Sequence, residues 1–373
     1  IVGRYLGGQA LAAVGTAGPI MNLAILFISG MCMGAGILMS TQYGAKQQDV
    51  LERQISTTLL SGLVFSFFVT LSMMVLAKPV LTLIRVPEEI LDSACGYLRI
   101  IFTGFLFTFA YNFFSSTLRA LGDSKASLYF LVISSVFNIA GDLLFVAVFR
   151  WGVNGSALAT VLSQMICCLC CMIYIQKKVP LLRLGKRWLI FDKCLLSRTF
   201  SFGITSALQL MCVQLGKVCV QSMVNMQGIA FMAAFTAVNR VDDFALTPQQ
   251  NIAHAATTFM AQNKGAGQEK RMKQGFFCGV LVELCYTAAV GICVFLFAEP
   301  IMKLFLPEES AEVIVLGVTY LHLISFLYLL SGSGNIVQGF FRGIGDLKVT
   351  LISSLLNISV RVIAVFFMLQ VSN

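Results

Sequence analysis

Residues 126–149 form a stretch of 24 positions whose only charged side chain is Asp142. No other feature narrows the folding options of this chain so far. The stretch does not alternate apolar and polar residues, so it is not a barrel strand, which needs such alternation over roughly ten residues. In lipid, every backbone N–H and C=O must be satisfied within its own segment, and a helix does that. Breaking the chain at charged or Gly/Pro-rich clusters gives ten apolar segments of this kind: 11–42, 55–77, 92–118, 126–149, 154–175, 199–223, 229–261, 275–298, 312–341 and 347–370. Several exceed the roughly 20 residues a bilayer requires and must tilt, kink or protrude. The segment 229–261 is the most polar of the ten. Composition agrees: 58% hydrophobic and 12% charged, where soluble domains carry about 25% charge. The fold class expected is an all-α polytopic membrane protein, and a water-soluble enzyme is excluded. No charged n-region or small-residue cleavage site precedes the first segment, so no signal peptide is read.

Net charge is +9, and its distribution is topological. Of the 26 Lys and Arg residues, 17 fall in alternate loops, including 176–198, and five fall in the loops between them. The positive-inside rule places the first set in the cytoplasm. Nucleic acid is not an expected partner, because the basic residues are divided among five loops rather than gathered on one face. Membrane lipid is. The loop 176–198 divides the chain into an N-terminal lobe, 1–175, and a C-terminal lobe, 199–373, and reads as a partly amphipathic cytoplasmic linker.

The two halves repeat one another. Arg119-Ala-Leu-Gly-Asp123-Ser-Lys125 matches Arg342-Gly-Ile-Gly-Asp346-Leu-Lys348 at an offset of 223, and Tyr97-Leu-Arg-Ile100 matches Tyr320-Leu-His-Leu323. Gln42-Tyr-Gly-Ala45 matches Asn263-Lys-Gly-Ala266, Ala77-Lys-Pro79 matches Ala298-Glu-Pro300, and Pro-Glu-Glu follows the latter pair at 87–89 and 307–309. Matching loops lie on the same side, so the repeats are parallel. In transporters built this way, substrate and ion sites lie at or beside the repeat interface.

Within the spans, Asn138 and Asp142 stand four residues apart and share a helix face. Asp142 lies ten residues before Gly152 and Thr160 eight after it. At about 1.5 Å per residue, both sit some 12–15 Å below that turn. An intramembrane carboxylate is costly and by default functional. Apolar surroundings disfavour the charged carboxylate in general, and a bound cation or nearby amide restores it, so a site holding H⁺ or Na⁺ is chemically natural. Of the 17 acids, Asp142 reads as the one at a depth and spacing that invite a coupling role. At the offset of the repeat, Asn138 corresponds to Arg361, so the lobes are not chemically equivalent. The polar stretch 239–254 offers Asn239, Asp242, Asp243, Gln249 and Gln250, with an Arg240–Asp243 pair as its bland alternative and Pro248 as a kink. Gln209 stands in the sixth segment, 199–223, which contains no acid.

Several motifs resemble the multidrug and toxic compound extrusion (MATE) family of bacterial efflux transporters. Val2-Gly-Arg-Tyr-Leu-Gly7 and Leu11-Ala-Ala-Val-Gly15 are similar to its first interhelical turn. Leu118-Arg-Ala-Leu-Gly-Asp123 and Asn138-Ile-Ala-Gly-Asp142 resemble its fourth and fifth helices, and Trp151-Gly-Val-Asn-Gly-Ser-Ala-Leu-Ala-Thr160 its turn into the sixth. Asn239-Arg-Val-Asp-Asp243 and Ala261-Gln-Asn-Lys-Gly-Ala-Gly267 resemble its eighth. The resemblance implies two pseudo-symmetric lobes of six helices around a cleft. About ten of those helices are visible here, and helix one and helix twelve are expected beyond the ends of this chain. A helix-one carboxylate of the family's first-lobe cation site therefore has no counterpart. The resemblance implies a monomeric, multi-pass antiporter of the bacterial cytoplasmic membrane that exports amphipathic organic cations in exchange for H⁺ or Na⁺. Asn138, Asp142 and Thr160 would hold the coupling ion, and no other metal or cofactor is implied. Asn239, Asp242, Asp243, Gln249, Gln250, Gln209 and Arg361 are the candidates for lining the substrate cleft. A lipid-linked oligosaccharide flippase of the same superfamily and a non-transporting scaffold or receptor are the alternatives. Of the twelve cysteines, Cys167, Cys168, Cys170 and Cys171 lie together in an apolar segment without a nearby His, which reads as packing and not as a metal site.

Overall fold

A computed structural model of the chain describes residues 2–180, 189–224, 228–305 and 311–371. Residues 181–188 of the proposed linker helix (176–198) and the second Pro-Glu-Glu (307–309) lie outside the described residues. Each of the ten apolar segments coincides with helix, as the lack of water in the bilayer core requires. In chain order these are α1 (Val2–Gly44), α2 (Gln48–Leu83), α3 (Glu88–Thr103), α4 (Phe105–Ala120), α5 (Ser124–Asp142) and α6 (Gly152–Lys178). They continue with α7 (Lys193–Val224), α8 (Ile229–Gly265), α9 (Glu269–Leu296), α10 (Ala298–Phe305), α11 (Ala311–Gly343) and α12 (Leu347–Val371). Among the described residues, seven helices are long and apolar enough to cross a bilayer, and the bent α3–α4 pair makes eight when counted as one span. α8 is not among them: Arg240, Asp242 and Asp243 charge its first half, and Gln249, Gln250, Asn251 and His254 make its second half too polar.

Three details depart from straight spans. The segment 92–118 is two helices bent by 45° at Gly104, where a Cβ would come within 2.6 Å of Val161 on α6. Within α1, Gly7 adopts φ +81° and ψ −173°, breaking the helix at the expected turn. The run 126–149 is α5 followed by a π-helical turn over Leu143–Val148. By contrast, α8 continues as one helix through Pro248.

Close contacts within the chain divide it into two units, residues 1–43 with 47–207 and residues 44–46 with 208–373. α7 thus contributes its first half to one unit and its second half to the other. The core of the first unit includes Leu51, Leu98, Phe102, Phe113 and Leu118, and that of the second Val238, Met302, Leu321 and Tyr328. Outward, the pattern inverts that of a soluble protein. Only 11% of the most apolar stretch of α2 and of α5–π is buried, and Phe67, Phe68, Val75, Val132 and Val136 are exposed. Lipid is their solvent.

The duplication is visible in the turns. Gly122 (φ +94°) and Gly345 (φ +83°) occupy the left-handed region. Gly122 N–H donates to Arg119 O at 2.9 Å and Gly345 N–H to Arg342 O at 3.0 Å. The following Asp N–H donates to Leu118 O in one turn and Phe341 O in the other, each at 2.9 Å. Asp123 and Asp346 then accept from the first-turn amides of Ala126 and Val349, an aspartate's usual service at a helix start. Lys46 (φ 57°) and Gly267 (φ 66°) play equivalent parts in the matching α1–α2 and α8–α9 turns. The start of α7 is pinned to α2: Ser56 Oγ donates to Ile190 O at 2.8 Å, Asp192 N–H donates to Thr57 Oγ1 at 3.1 Å, and Asp192 caps the helix.

Small residues set how closely helices approach, as is usual where lipid supplies no hydrophobic drive between them. A Cβ on Gly34 of α1 would lie 2.5 Å from the Gly203 nitrogen of α7. Replacing Gly34 with Ala should therefore lower the unfolding free energy by about 1–3 kcal/mol. Gly15→Ala, facing open space in the same helix, should be neutral or stabilise by roughly 0.5–1 kcal/mol. Thermal unfolding of the purified variants checks both, and equal midpoints would contradict the packing.

Candidate functional site

The intramembrane acid of the first unit sits where α5 changes its winding. Asp142 ends the α-helical part, and the π turn follows at once, with Phe149 N–H donating to Leu144 O at 2.9 Å across five residues. Such turns occur often at functional sites. α6 lies close alongside. A Cβ on Gly141 would stand 3.0 Å from the Ala159 Cβ, and one on Gly155 would stand 3.1 Å from Phe145. These two glycines let the helices approach until short polar side chains can meet.

They meet in one cluster. Asn138 Nδ2 donates to Thr160 Oγ1 at 3.2 Å, and Thr160 Oγ1 in turn donates to the Ser156 carbonyl at 3.1 Å. Asp142 lies beside Ser156, yet its Oδ1 is buried without a hydrogen-bond partner. A buried acceptor left unpaired is expensive, and it is the atom that a proton or a small cation would satisfy. Asn138, Asp142 and Thr160 thus share one place, joined by Ser156. Ser156 was readable in principle, since it stands four residues before Thr160 on the same face of α6.

The second-unit candidates do not form one site. Tyr328 Oη donates to Asp242 Oδ1 at 2.6 Å, and Arg361 stands near enough to Asp242 to act on its charge. Asp243 pairs with Lys217 at 3.4 Å, both partners being exposed. In place of the Arg240–Asp243 pair offered as the bland alternative, Asp243 takes this interhelical bridge from Lys217 of α7. Gln209 is buried and fully engaged, donating to Gln338 Oε1 and Ser354 Oγ, each at 3.1 Å, and accepting from Arg342 at 3.5 Å. Gln249 is also internal, accepting from Asn335 Nδ2 at 3.3 Å. Asn239 is half-buried and Gln250 exposed.

One acid escaped the sequence reading. Glu283, mid-way along α9, is 0% exposed, and neither carboxylate oxygen has a hydrogen-bond partner. Asp142 is therefore not the only carboxyl group at depth. The signal existed, a lone acid within the apolar segment 275–298, with Thr287 four residues on. Elsewhere, the first unit encloses an apolar cavity of about 450 Å³ lined by Phe27, Met31, Phe65, Phe109 and Phe200, with Lys193 at its edge. Cys167, Cys168 and Cys171 are buried, and all twelve cysteines are free.

Duplicated helical units, lipid-facing apolar surfaces and a buried carboxylate oxygen without a partner within the span make up a polytopic membrane transporter. The chain belongs to the MatE family, whose model matches residues 1–144 and 205–367. The probable multidrug resistance protein YoeA of Bacillus subtilis (strain 168) is 32% identical over 351 residues, covering 92% of this chain and 75% of that protein. The FAD transporter of Shewanella oneidensis is 24% identical over 315 residues, covering 80% and 67%. Among solved structures, an outward-facing multidrug resistance MATE family transporter of the MOP superfamily superposes with a TM-score of 0.87 at 21% identity, covering 95% of this chain and 79% of that one. A MOP superfamily transporter from Pyrococcus furiosus gives 0.88 at 22% identity, covering 97% and 82%. These structural likenesses establish the fold.

The Asn138–Thr160 bond should be measurable by itself. Thr160→Val leaves the Asn138 amide unpaired and should cost about 0.5–2 kcal/mol of unfolding free energy. Adding Asn138→Leu should recover most of that loss, because the double variant buries no orphan. A double-mutant cycle on thermal or denaturant unfolding reads the coupling, and strict additivity would contradict the contact.

Proposed function

We propose that this protein is a secondary antiporter that exports amphipathic organic cations in exchange for H⁺ or Na⁺. The observation that carries the proposal is the unpaired, buried Oδ1 of Asp142 within the Asn138–Thr160–Ser156 cluster. A carboxylate in that setting costs about 2.5–3.5 kcal/mol or more at mid-membrane. Taking up a proton or a monovalent cation relieves the cost, so occupancy by the coupling ion and the packing of α5 against α6 are linked. An ion that binds one conformation more tightly shifts the population towards it, and a gradient of that ion then drives the cycle.

Support for an organic-cation substrate comes from the multidrug resistance relative and from the aromatic, Met-containing cavity of the first unit, the adaptable surface that promiscuous binding uses. Among the second-unit candidates, Asp243, Gln250 and Arg361 are exposed and Asn239 is half-buried. The basic residues there are offset, Lys217 by Asp243 and Arg361 by Asp242, which does not favour the polyanionic cargo of an oligosaccharide flippase. Its bacterial relatives support a cytoplasmic membrane as its location.

Reconstituted into liposomes with a fluorescent cationic dye and an imposed H⁺ or Na⁺ gradient, the wild-type protein should move dye against its gradient. Asp142→Asn should reduce gradient-driven movement at least tenfold while the protein still elutes as a folded monodisperse species. Undiminished efflux by that variant would sink the assignment of Asp142. Efflux by wild type that ignores both gradients would sink ion coupling itself.

A further inference from the structure

Glu283 belongs to a layer of buried polar atoms inside the second unit, three of which have no hydrogen-bond partner among the described residues. Three helices define the layer. α8 and α11 run parallel, since Asp242 meets Tyr328, Gln249 meets Asn335, and Thr257 meets Gly339 in rising order. α9 runs against both: Tyr286 Oη donates to the Ala245 carbonyl of α8 at 3.0 Å, and Gly279 faces Ile336 while Gly291 faces Ser325 of α11. Gln249 lies one turn beyond Ala245, and Glu283 nearly one turn before Tyr286. In antiparallel helices, that brings Glu283 and Gln249 to the same level.

On the third side stands Gly332. A Cβ there would lie 3.0 Å from Glu283 Oε1 and 2.5 Å from Thr287 Cγ2, so this glycine makes room for the carboxyl group. Glu283 and Gln249 are each 0% exposed. Both Glu283 oxygens and Gln249 Nε2 lack partners. Thr287 gives its hydroxyl to the Glu283 backbone carbonyl at 2.9 Å, not to the carboxyl group.

The titratable and charged groups on the helices packed against α9 are engaged elsewhere or lie at other levels; His254 of α8, which has an interaction of its own, lies more than one turn beyond Gln249. Tyr286 is bound to Ala245, Tyr328 to Asp242, and His322 to the Phe295 carbonyl. Arg342 reaches Gln209, Lys264 the Ile344 carbonyl, and Glu299 of α10 pairs with Lys303. Arg240 is exposed. Among the described residues, no cation pairs with Glu283.

We propose that Glu283, in the layer it shares with Gln249 and Asn335, is a second proton-carrying site of this transporter. An isolated ionised carboxylate in such surroundings would be prohibitively costly, so the group is held as the neutral acid in this conformation. The unpaired atom at its level is an N–H donor, which repels a metal cation and can receive the carboxylate when the proton leaves. Opening of the layer to water in another conformation would release the proton. The proposal rests on the antiport reading and adds a second titrating group to it.

Two measurements test it. Infrared difference spectra of the purified protein between acid and alkaline pH should show a protonated-carboxyl carbonyl band that Glu283→Gln removes and Asp142→Asn leaves in place. In liposomes, the protons moved per dye by Glu283→Gln should fall by a single proton while dye binding persists. Should Glu283→Gln fail to fold, dicyclohexylcarbodiimide treatment of the wild type replaces both measurements. Its adduct should map to Glu283 by mass spectrometry and form faster at acid pH. The site is overturned if the spectrum and stoichiometry of Glu283→Gln match wild type, if no adduct forms, or if Na⁺ at constant pH erases the band. Failure of the Asp142 reading is separable, since it would leave the Glu283 band unchanged.

Discussion

The bilayer core contains no water to satisfy a polar group, and the rest of the structure depends on that constraint. It dictates helices for every apolar segment, because each backbone amide needs a partner within its own segment. It also means that apolar surface cannot drive helices together, so their spacing comes from residues with little or no side chain. Gly34 against Gly203, Gly141 against Ala159 and Gly332 against Glu283 are instances of the same device. At the first contact it seats one helix on another. At the second it brings Asn138 and Thr160 within hydrogen-bond reach. At the third it makes room for a carboxyl group.

Against that background, unsatisfied polar atoms are the informative ones. Most intramembrane polar groups here are paired: Thr70 to Phe102, Ser116 to Cys32, Gln209 to three partners. Asp142 Oδ1 and both carboxylate oxygens of Glu283 are not. The two units have therefore diverged in chemistry while keeping the same turns. One has an acid at the end of α5 beside an amide and two hydroxyl residues. The other has its acid on α9, and sets Asp242, Tyr328 and Arg361 into a separate cluster.

The architecture was largely legible in the chain because hydropathy and turn chemistry are local properties. The ten apolar segments, the break at Gly7 and the duplicated Gly-Asp turns each depend on a few neighbouring residues. The Asn138–Asp142–Thr160 grouping was also open to sequence reasoning, since two of its members share a helix face and the third follows one short hairpin. What could not be read was long-range. Nothing local reveals that Asp243 takes Lys217 in preference to Arg240, or that Gln209 is consumed by α11 and α12. The 45° bend at Gly104 depends on Val161, 57 residues away. Glu283 was visible as a lone acid, but only the register of three helices shows that its level also holds an orphan donor and no counter-charge.

The proposed exchange is of a coupling ion at Asp142, whose Oδ1 lacks a hydrogen-bond partner, for the cationic substrate. Proton or Na⁺ release on binding of a cationic dye, followed in weakly buffered detergent solution with purified protein, tests it most directly. The account predicts that dye binding by wild type expels a stoichiometric amount of one of these ions and that Asp142→Asn removes part or all of that release. Tight dye binding with no ion released by the wild type would contradict it.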